Sequence, residues 1–282
     1  MREYIVTFAG FTVSIGYYSD EVKGFLHFLF DDLSHDRGNG DYDQILIISE
    51  NDDGQHTLTN DNEMLFQGPL GVNFAAVLFD SVIFNLLNMN KSGVALHAGA
   101  VVYREKVIFI PGQSGSGKST MTAWLTAHGF AYLTDELIFL PDDGSGQTMS
   151  FSRPVCIKSA AVSVIKKLLR KDTHRDILQD DQGVIVPHRS LNSDFSIVTS
   201  PPSLLLFPSY QNVSSLNIEK ISGAQACTYL MSCDVNARNL LDHGFKQIVK
   251  IAQSTPAYKV SYGCFQGFGD AFARLFDELN WG

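Results

Sequence analysis

Gly112-Gln113-Ser114-Gly115-Ser116-Gly117-Lys118-Ser119 fits G-x-x-x-x-G-K-[ST] at every fixed position. Glycines at 112, 115 and 117 let the chain wrap closely round an anion, and backbone N–H groups at a helix N-terminus face it with partial positive charge. The flanks suit such a cradle. Lys106 to Pro111 (KVIFIP) is β-rich, and Thr120 to His128 patterns as a helix with Gly129 as its C-cap. Gly112, Ser114, Gly115, Ser116, Gly117, Lys118, Ser119 and Thr120 are therefore the candidate nucleotide-binding residues. Lys118 is placed to hold the outer phosphates, and the Ser119 hydroxyl to ligate Mg²⁺.

Outward from the loop, Val94 to Tyr103 (VALHAGAVVY) is a second β-rich run joined to 106–111 through Arg104-Glu105. Phe130 to Leu133 is a third, ending at Thr134-Asp135-Glu136. Strand, glycine loop, helix, strand is an α/β nucleotide-binding core. Asp135 follows Lys118 by only 17 residues. That spacing predicts that its strand lies next to the loop's own strand, with Asp135 and Glu136 beside the terminal phosphate. A carboxylate there can accept a proton from an attacking hydroxyl while its neighbour binds metal or orients it. His97, alone in an apolar strand, reads as a core residue unless it faces the Asp135 carboxylate, where it would tune the base.

The 282 residues allow one large domain or two unequal ones, and 45% apolar against 18% charged residues excludes global disorder. A net charge of -9 disfavours a nucleic-acid binder or a membrane-surface protein. It does not disfavour polyphosphate, which backbone amides, one lysine and Mg²⁺ can hold locally. Residues 4–17 read as a hairpin broken at Ala9-Gly10; 44–49 and 56–59 read as another around Asp52-Asp53-Gly54. The run 22–30 is helix or strand. Pro69 to Leu87 approaches membrane-span length, yet Asp80 at its centre, with Asn73 and Asn85, favours a buried helix over 70–89. No secretory signal is expected, and the four cysteines, without C-x-x-C spacing, read as buried reduced thiols of a cytoplasmic protein.

Beyond the loop, a helix is expected over 160–170 and a long polar loop over 171–202, then a strand at 203–207, helices at 223–231 and 237–253, a strand at 258–262 and a last helix over 270–279 with Phe268, Phe272 and Phe276 facing the core. Lys166, Lys167, Arg170, Lys171 and Arg175 form a basic cluster, read mainly as a solvated face. Arg153 and Lys158 flank a strand-like run, as surface residues or as ligands of an anion.

LHAGAVV, GQSGSGKST and GFAYLTDELIFL, in that order, resemble the catalytic domain of HPr kinase/phosphorylase and its relatives over about 94–282. RPVCIK, LLLFPSY and PAYKVSYG resemble the related kinases more than HPr kinase itself. The resemblance implies an α/β fold with a P-loop core of the HPr kinase type over 93–282, preceded by a small α+β unit over 1–92. It implies Asp135 as general base for phosphorylation of a serine-type hydroxyl, His97 assisting it, Lys118 on the phosphates, and Ser119 with Glu136 at Mg²⁺. The acidic pair here is Asp-Glu where the family has Asp-Asp, and the family's downstream glycine- and arginine-containing signature is absent. The expected activity is Mg-ATP-dependent transfer of the γ-phosphate to a protein, peptide or metabolite, with self-association expected and neither nucleic acid nor membrane as partner. A nucleotide sensor and a slow ATPase remain the alternatives.

Overall fold

The computed structural model describes residues 1–33, 44–61, 63–170, 177–194, 200–211 and 216–281. These form a mixed α/β fold with three sheets. In the first, β1 (Arg2–Phe8) and β2 (Phe11–Tyr17) make a hairpin turned at Ala9 and Gly10, at φ 52° and 84°. A two-residue turn with both φ positive has the twist that adjacent strands need. α1 (Asp20–Phe30) leads to β3 (Gln44–Glu50), which pairs in parallel with β2. Ser19 Oγ accepts the Val22 amide at 3.2 Å, and Asp20 and Glu21 occupy the first turn, so the start of α1 is capped and its dipole compensated. This settles the ambiguous run 22–30 as helix.

β4 (His56–Asn60) and β5 (Glu63–Gly68) complete the order β1-β2-β3-β4-β5. α2 (Val72–Leu87) buries Phe74, Leu78, Phe79, Val82 and Leu86 in the core of this sheet, and it begins after Pro69 with Gly71 as N-cap. No helix among the described residues is long and apolar enough to cross a membrane.

The largest sheet carries the loop. Its strands and helices are β6 (Gly93–Tyr103), β7 (Lys106–Pro111), α3 (Lys118–Ala127), β8 (Ala131–Thr134), β9 (Leu137–Pro141) and β10 (Met149–Phe151). A small sheet of β11 (Val155–Lys158), β12 (Leu178–Gln179) and β13 (Gly183–Val186) follows, with the short α4 (Val162–Lys166) between the first two. The chain then returns through β14 (Pro202–Tyr210), β15 (Asn217–Lys220), α5 (Gly223–Met231), α6 (Phe245–Ser254), β16 (Ala257–Tyr262) and α7 (Phe268–Glu278). The order is β10-β9-β6-β7-β14-β16-β15, with β8 beside β6. β7, β14 and β16 are parallel. One face of the sheet packs against α3 and α7, where Phe268, Phe272 and Phe276 are buried; the other packs against α5 and α6.

Several expectations need correction. The strand before the acidic pair lies next to β6, not next to the loop's strand β7, because the tight β6–β7 hairpin through Arg104 and Glu105 already occupies that edge of β7. Spacing along the chain cannot reveal an intervening antiparallel strand. The span 171–202 is only partly loop: β12 and β13 lie in it, β13 pairing with β11 on one side and with β12 on the other. Its residues 171–176 and 195–199, with Lys171 and Arg175 of the basic cluster, lie outside the described residues. The helix expected over 160–170 is reduced to α4, and that over 237–253 starts only at Phe245, where Gly244 at φ 71° is the N-cap. All four cysteines are free, but only Cys233 is buried and Cys264 is exposed.

The proposed division at 92/93 falls between α2 and β6, and the apolar core runs across it. Phe8 meets Phe139 and Phe151 edge-on, at 6.3 and 5.5 Å between ring centres. A polar link runs in parallel: Asp32 accepts from His188 Nε2 at 2.8 Å and pairs with Arg189 at 2.6 Å, while the His188 ring stacks on Tyr132 at 4.6 Å. Burial alone would raise the Asp32 carboxyl, but the hydrogen bonds from His188 and Arg189 outweigh it and hold it below its ordinary 3.8. A carboxyl depressed in the folded state contributes stability above the unfolded value and loses it as pH falls. Asp32→Asn should therefore lower the urea unfolding free energy at pH 7 by about 1–3 kcal/mol, towards the low end because Arg189 is half-exposed and screened. The gap between variant and wild type should close as the pH drops below 3.8.

Candidate functional site

The loop leaves β7 at Gly112, whose amide donates to the His97 carbonyl at 3.4 Å, and enters α3 at Gly117. Gly117 has φ 95°, and a Cβ there would stand 2.3 Å from the Tyr262 hydroxyl, which donates to the Gly117 carbonyl at 2.9 Å. Glycine is thus required twice, by conformation and by close approach. Gly117 supplies no capping side chain, so the amides of Lys118, Ser119 and Thr120 are the unsatisfied donors of the first helical turn. On the far side of the loop Tyr210 N–H donates to the Ser116 carbonyl at 2.9 Å, and Lys158 Nζ donates to Ser114 Oγ at 2.7 Å. A concave set of N–H groups with a lysine at its rim is what an oxyanion chain needs.

Lys118 is buried and its ammonium donates to the backbone carbonyl of Asp135. The acidic pair therefore does lie beside the loop, although its strand is not the loop's neighbour. Thr134 makes the turn rigid: its hydroxyl donates to the Phe151 carbonyl at 2.7 Å and accepts the Glu136 amide at 3.1 Å.

The two carboxylates have different surroundings. That of Asp135 is fully buried; it accepts the Cys156 amide at 3.1 Å, lies 3.4 Å from Arg153 Nε and stands 3.5 Å from the Tyr132 hydroxyl. Tyr132 itself donates to the Arg153 carbonyl at 2.6 Å. Glu136 keeps some solvent access and bridges two groups, His97 Nδ1 at 3.0 Å on Oε1 and Arg153 Nη2 on Oε2. Burial would raise the Glu136 carboxyl, but the Arg153 charge and the His97 hydrogen bond outweigh it and hold it well below the usual carboxylate range. His97 thus faces Glu136, not Asp135, with its side chain a quarter exposed.

Arg153 is neither a surface residue nor a ready anion ligand. It is buried, paired with both acids, and its guanidinium lies 4.6 Å over the Phe79 ring of α2. Sequence reasoning singled out Arg153 only as a strand flank; an arginine set directly before the apolar run Pro154 to Ile157 was the available signal. Asp80, next to Phe79, keeps contact with solvent, and its carboxyl is raised by partial desolvation and by the nearby Glu136, which places it at the edge of the same charge cluster. Burial also pushes the Cys156 thiol up to about 12, so it is no thiolate at neutral pH.

Among the described residues no three His, Cys, Asp or Glu side chains converge as a metal cage. Mg²⁺ at nucleotide sites takes one or two protein ligands and keeps phosphate oxygens and waters for the rest; of the two expected ligands, Ser119 lies in the first turn of α3 and Glu136 has its two oxygens on His97 and Arg153.

No protein-family model matches the chain, and no curated protein matches it. Among solved structures 43 chains match. One is the Hpr(Ser) kinase/phosphatase from Coxiella burnetii, 12% identical, with 67% of this chain and 99% of that chain covered and a TM-score of 0.33. At those values the likeness is a distant structural one.

Removing one partner from a buried ion cluster leaves uncompensated charge, at about 3–5 kcal/mol. Arg153→Met should lower the unfolding free energy by that much in urea titrations at pH 7. Adding Glu136→Gln to it should recover part of the loss, because the neutral amide leaves one unpaired charge fewer. A double variant no more stable than Arg153→Met would show that Glu136 is not held by this pairing.

Proposed function

We propose that this chain is a Mg-ATP-dependent kinase that moves the γ-phosphoryl group to a serine-type hydroxyl on a protein, peptide or small metabolite. The observation that carries this reading is the junction of three parts: the β7–α3 glycine loop with its unsatisfied amides, Lys118 buried between loop and acidic turn, and the paired Glu136 and His97 beside them. A loop that only held nucleotide would have no use for a histidine–carboxylate pair at its end.

The loop amides from Gly115 to Thr120 and Lys118 position the phosphate chain, and Ser119 and Glu136 are the residues that would hold Mg²⁺. Bound there, the ion would neutralise charge on the phosphate oxygens. Most of the rate then comes from positioning and charge stabilisation.

The proton-accepting role that the family resemblance assigns to Asp135 fits Glu136 and His97 better. A fully buried carboxylate that accepts one amide and faces a guanidinium has no free surface for a hydroxyl, so we assign Asp135 to bracing Arg153 and the turn. With Nδ1 donating to Glu136, the His97 ring has its Nε2 lone pair available, as in other nucleophile-activating histidines. Glu136 is too well stabilised by Arg153 to be a strong base alone, and it orients the imidazole instead.

Incubation with γ-labelled ATP and Mg²⁺, neighbouring gene products and a metabolite panel should label one acceptor. Lys118→Ala should abolish transfer and weaken nucleotide binding. His97→Ala should slow transfer by about 10²–10⁴-fold while leaving nucleotide binding near wild type, and Glu136→Gln should slow it at least as much and also weaken Mg-nucleotide binding. Full activity in His97→Ala together with total loss in a folded Asp135→Asn protein would return the base to Asp135. Label released only as inorganic phosphate would favour an ATPase.

A further inference from the structure

Among the described residues two cavities border the loop. One, of about 430 Å³, adjoins its first residues Gly112 and Gln113 and is lined by Thr228, Tyr229 and Lys259. The other, of about 380 Å³, starts at the donors of the first helical turn, Lys118, Ser119 and Thr120, and runs away from them between β11–α4 and the segment after β16. A phosphate chain lying on those amides leads into the second cavity. Its volume is within the ~300–1,000 Å³ of small-ligand sites.

Resting on the kinase reading above, we propose that this second cavity is the nucleoside subsite and that it takes a purine base by stacking and apolar contact. Its lining is aliphatic at Ala160, Ala161 and Val164 and aromatic at Tyr262 and Phe265. Phe265 is a prepared platform: it stacks on Trp124 at 5.5 Å with the planes 9° apart, and Phe268 meets it edge-on at 4.8 Å. Ordering the ring beforehand removes that cost from binding. Cations stand at the phosphate end and rim, Lys158 bonded to Ser114 and Lys167 exposed on the turn after α4.

The cavity has little with which to read a base edge. The Tyr262 hydroxyl is already spent on the Gly117 carbonyl. The other lining side chains away from the loop are hydrocarbon, ring and the Cys264 thiol, a weak donor, together with Tyr210 and Lys167, both exposed to solvent. Discrimination by hydrogen bonding needs buried polar groups that a wrong base leaves unpaired, and these walls offer almost none. ATP and GTP are therefore accepted alike, and pyrimidine nucleotides, with a smaller face to stack, are bound less well.

Calorimetric titration of the full chain with ATP, GTP, UTP and inorganic tripolyphosphate, each with Mg²⁺, tests this. In the wild type ATP and GTP should agree within about threefold, and UTP and tripolyphosphate should each bind about tenfold or more weaker. Val164→Trp, which fills the cavity from its part-exposed wall, and Phe265→Ala, which removes the platform, should each weaken ATP about tenfold and leave tripolyphosphate unchanged. Retained tripolyphosphate binding also shows that each variant folds. Tripolyphosphate binding as tightly as ATP, ATP preferred over GTP by more than about tenfold, or ATP affinity intact in both variants would overturn the subsite while leaving the phosphate loop standing. Failure of ATP and tripolyphosphate alike would overturn the nucleotide reading, and the subsite with it.

Discussion

Arg153 is a charge buried among charges, and the candidate site is arranged around it. Its guanidinium reaches Glu136 and lies beside Asp135, while its carbonyl accepts the Tyr132 hydroxyl and its outer face is covered by Phe79. An ion taken out of water at such cost persists only where counter-charges and hydrogen bonds surround it. That demand draws β8, the β8–β9 turn, the chain before β11 and helix α2 to one point. Glu136 is then fixed in the orientation that holds His97, and the Asp135 carbonyl is fixed where Lys118 finds it. The loop and the acidic turn come from different edges of β6, and this cluster keeps them in register.

The same cluster ties the first sheet to the large one. Phe79 belongs to the helix that closes the β1–β5 sheet, yet it stacks on an arginine of the candidate site, and Asp80 beside it senses Glu136. With Phe8 against Phe139 and Phe151, and Asp32 on His188 and Arg189, the two parts of the chain share an apolar and an ionic junction. A change in α2 would therefore reach the charge cluster through packing alone, since interiors this dense transmit displacement.

Much of the fold was legible locally. The hairpin at Ala9-Gly10, the β6–β7 hairpin and the α7 phenylalanine stripe follow from short-range pattern and turn chemistry, and the structure has them. The failures have a common physical origin. Gly244 in the left-handed region starts α6 eight residues later than hydrophobic period suggests, because period does not see a broken backbone. β12 and β13 hide in a polar stretch because β13, the central strand of their sheet, takes its other partner β11 from some twenty residues or more upstream, and sequence pattern carries no pairing information. The neighbour of the loop strand was misjudged for the same reason: an antiparallel strand that precedes the motif took the place expected for one that follows it.

By itself the sequence determined the chemistry that contiguous residues can carry: a glycine loop opening a helix, a lysine and a hydroxyl at its first turn, and an acidic pair one helix later. These are local because an anion cradle is built from consecutive amides, and their spacing is the site. Only the tertiary structure decided which carboxylate is enclosed and which is open, that His97 holds Glu136, that Arg153 sits between the acids, and that Phe265 and Val164 line one cavity. Each of those relations joins residues from separate segments. Burial and charge pairing, which fix a side chain's role, are properties of the space that the folded chain encloses.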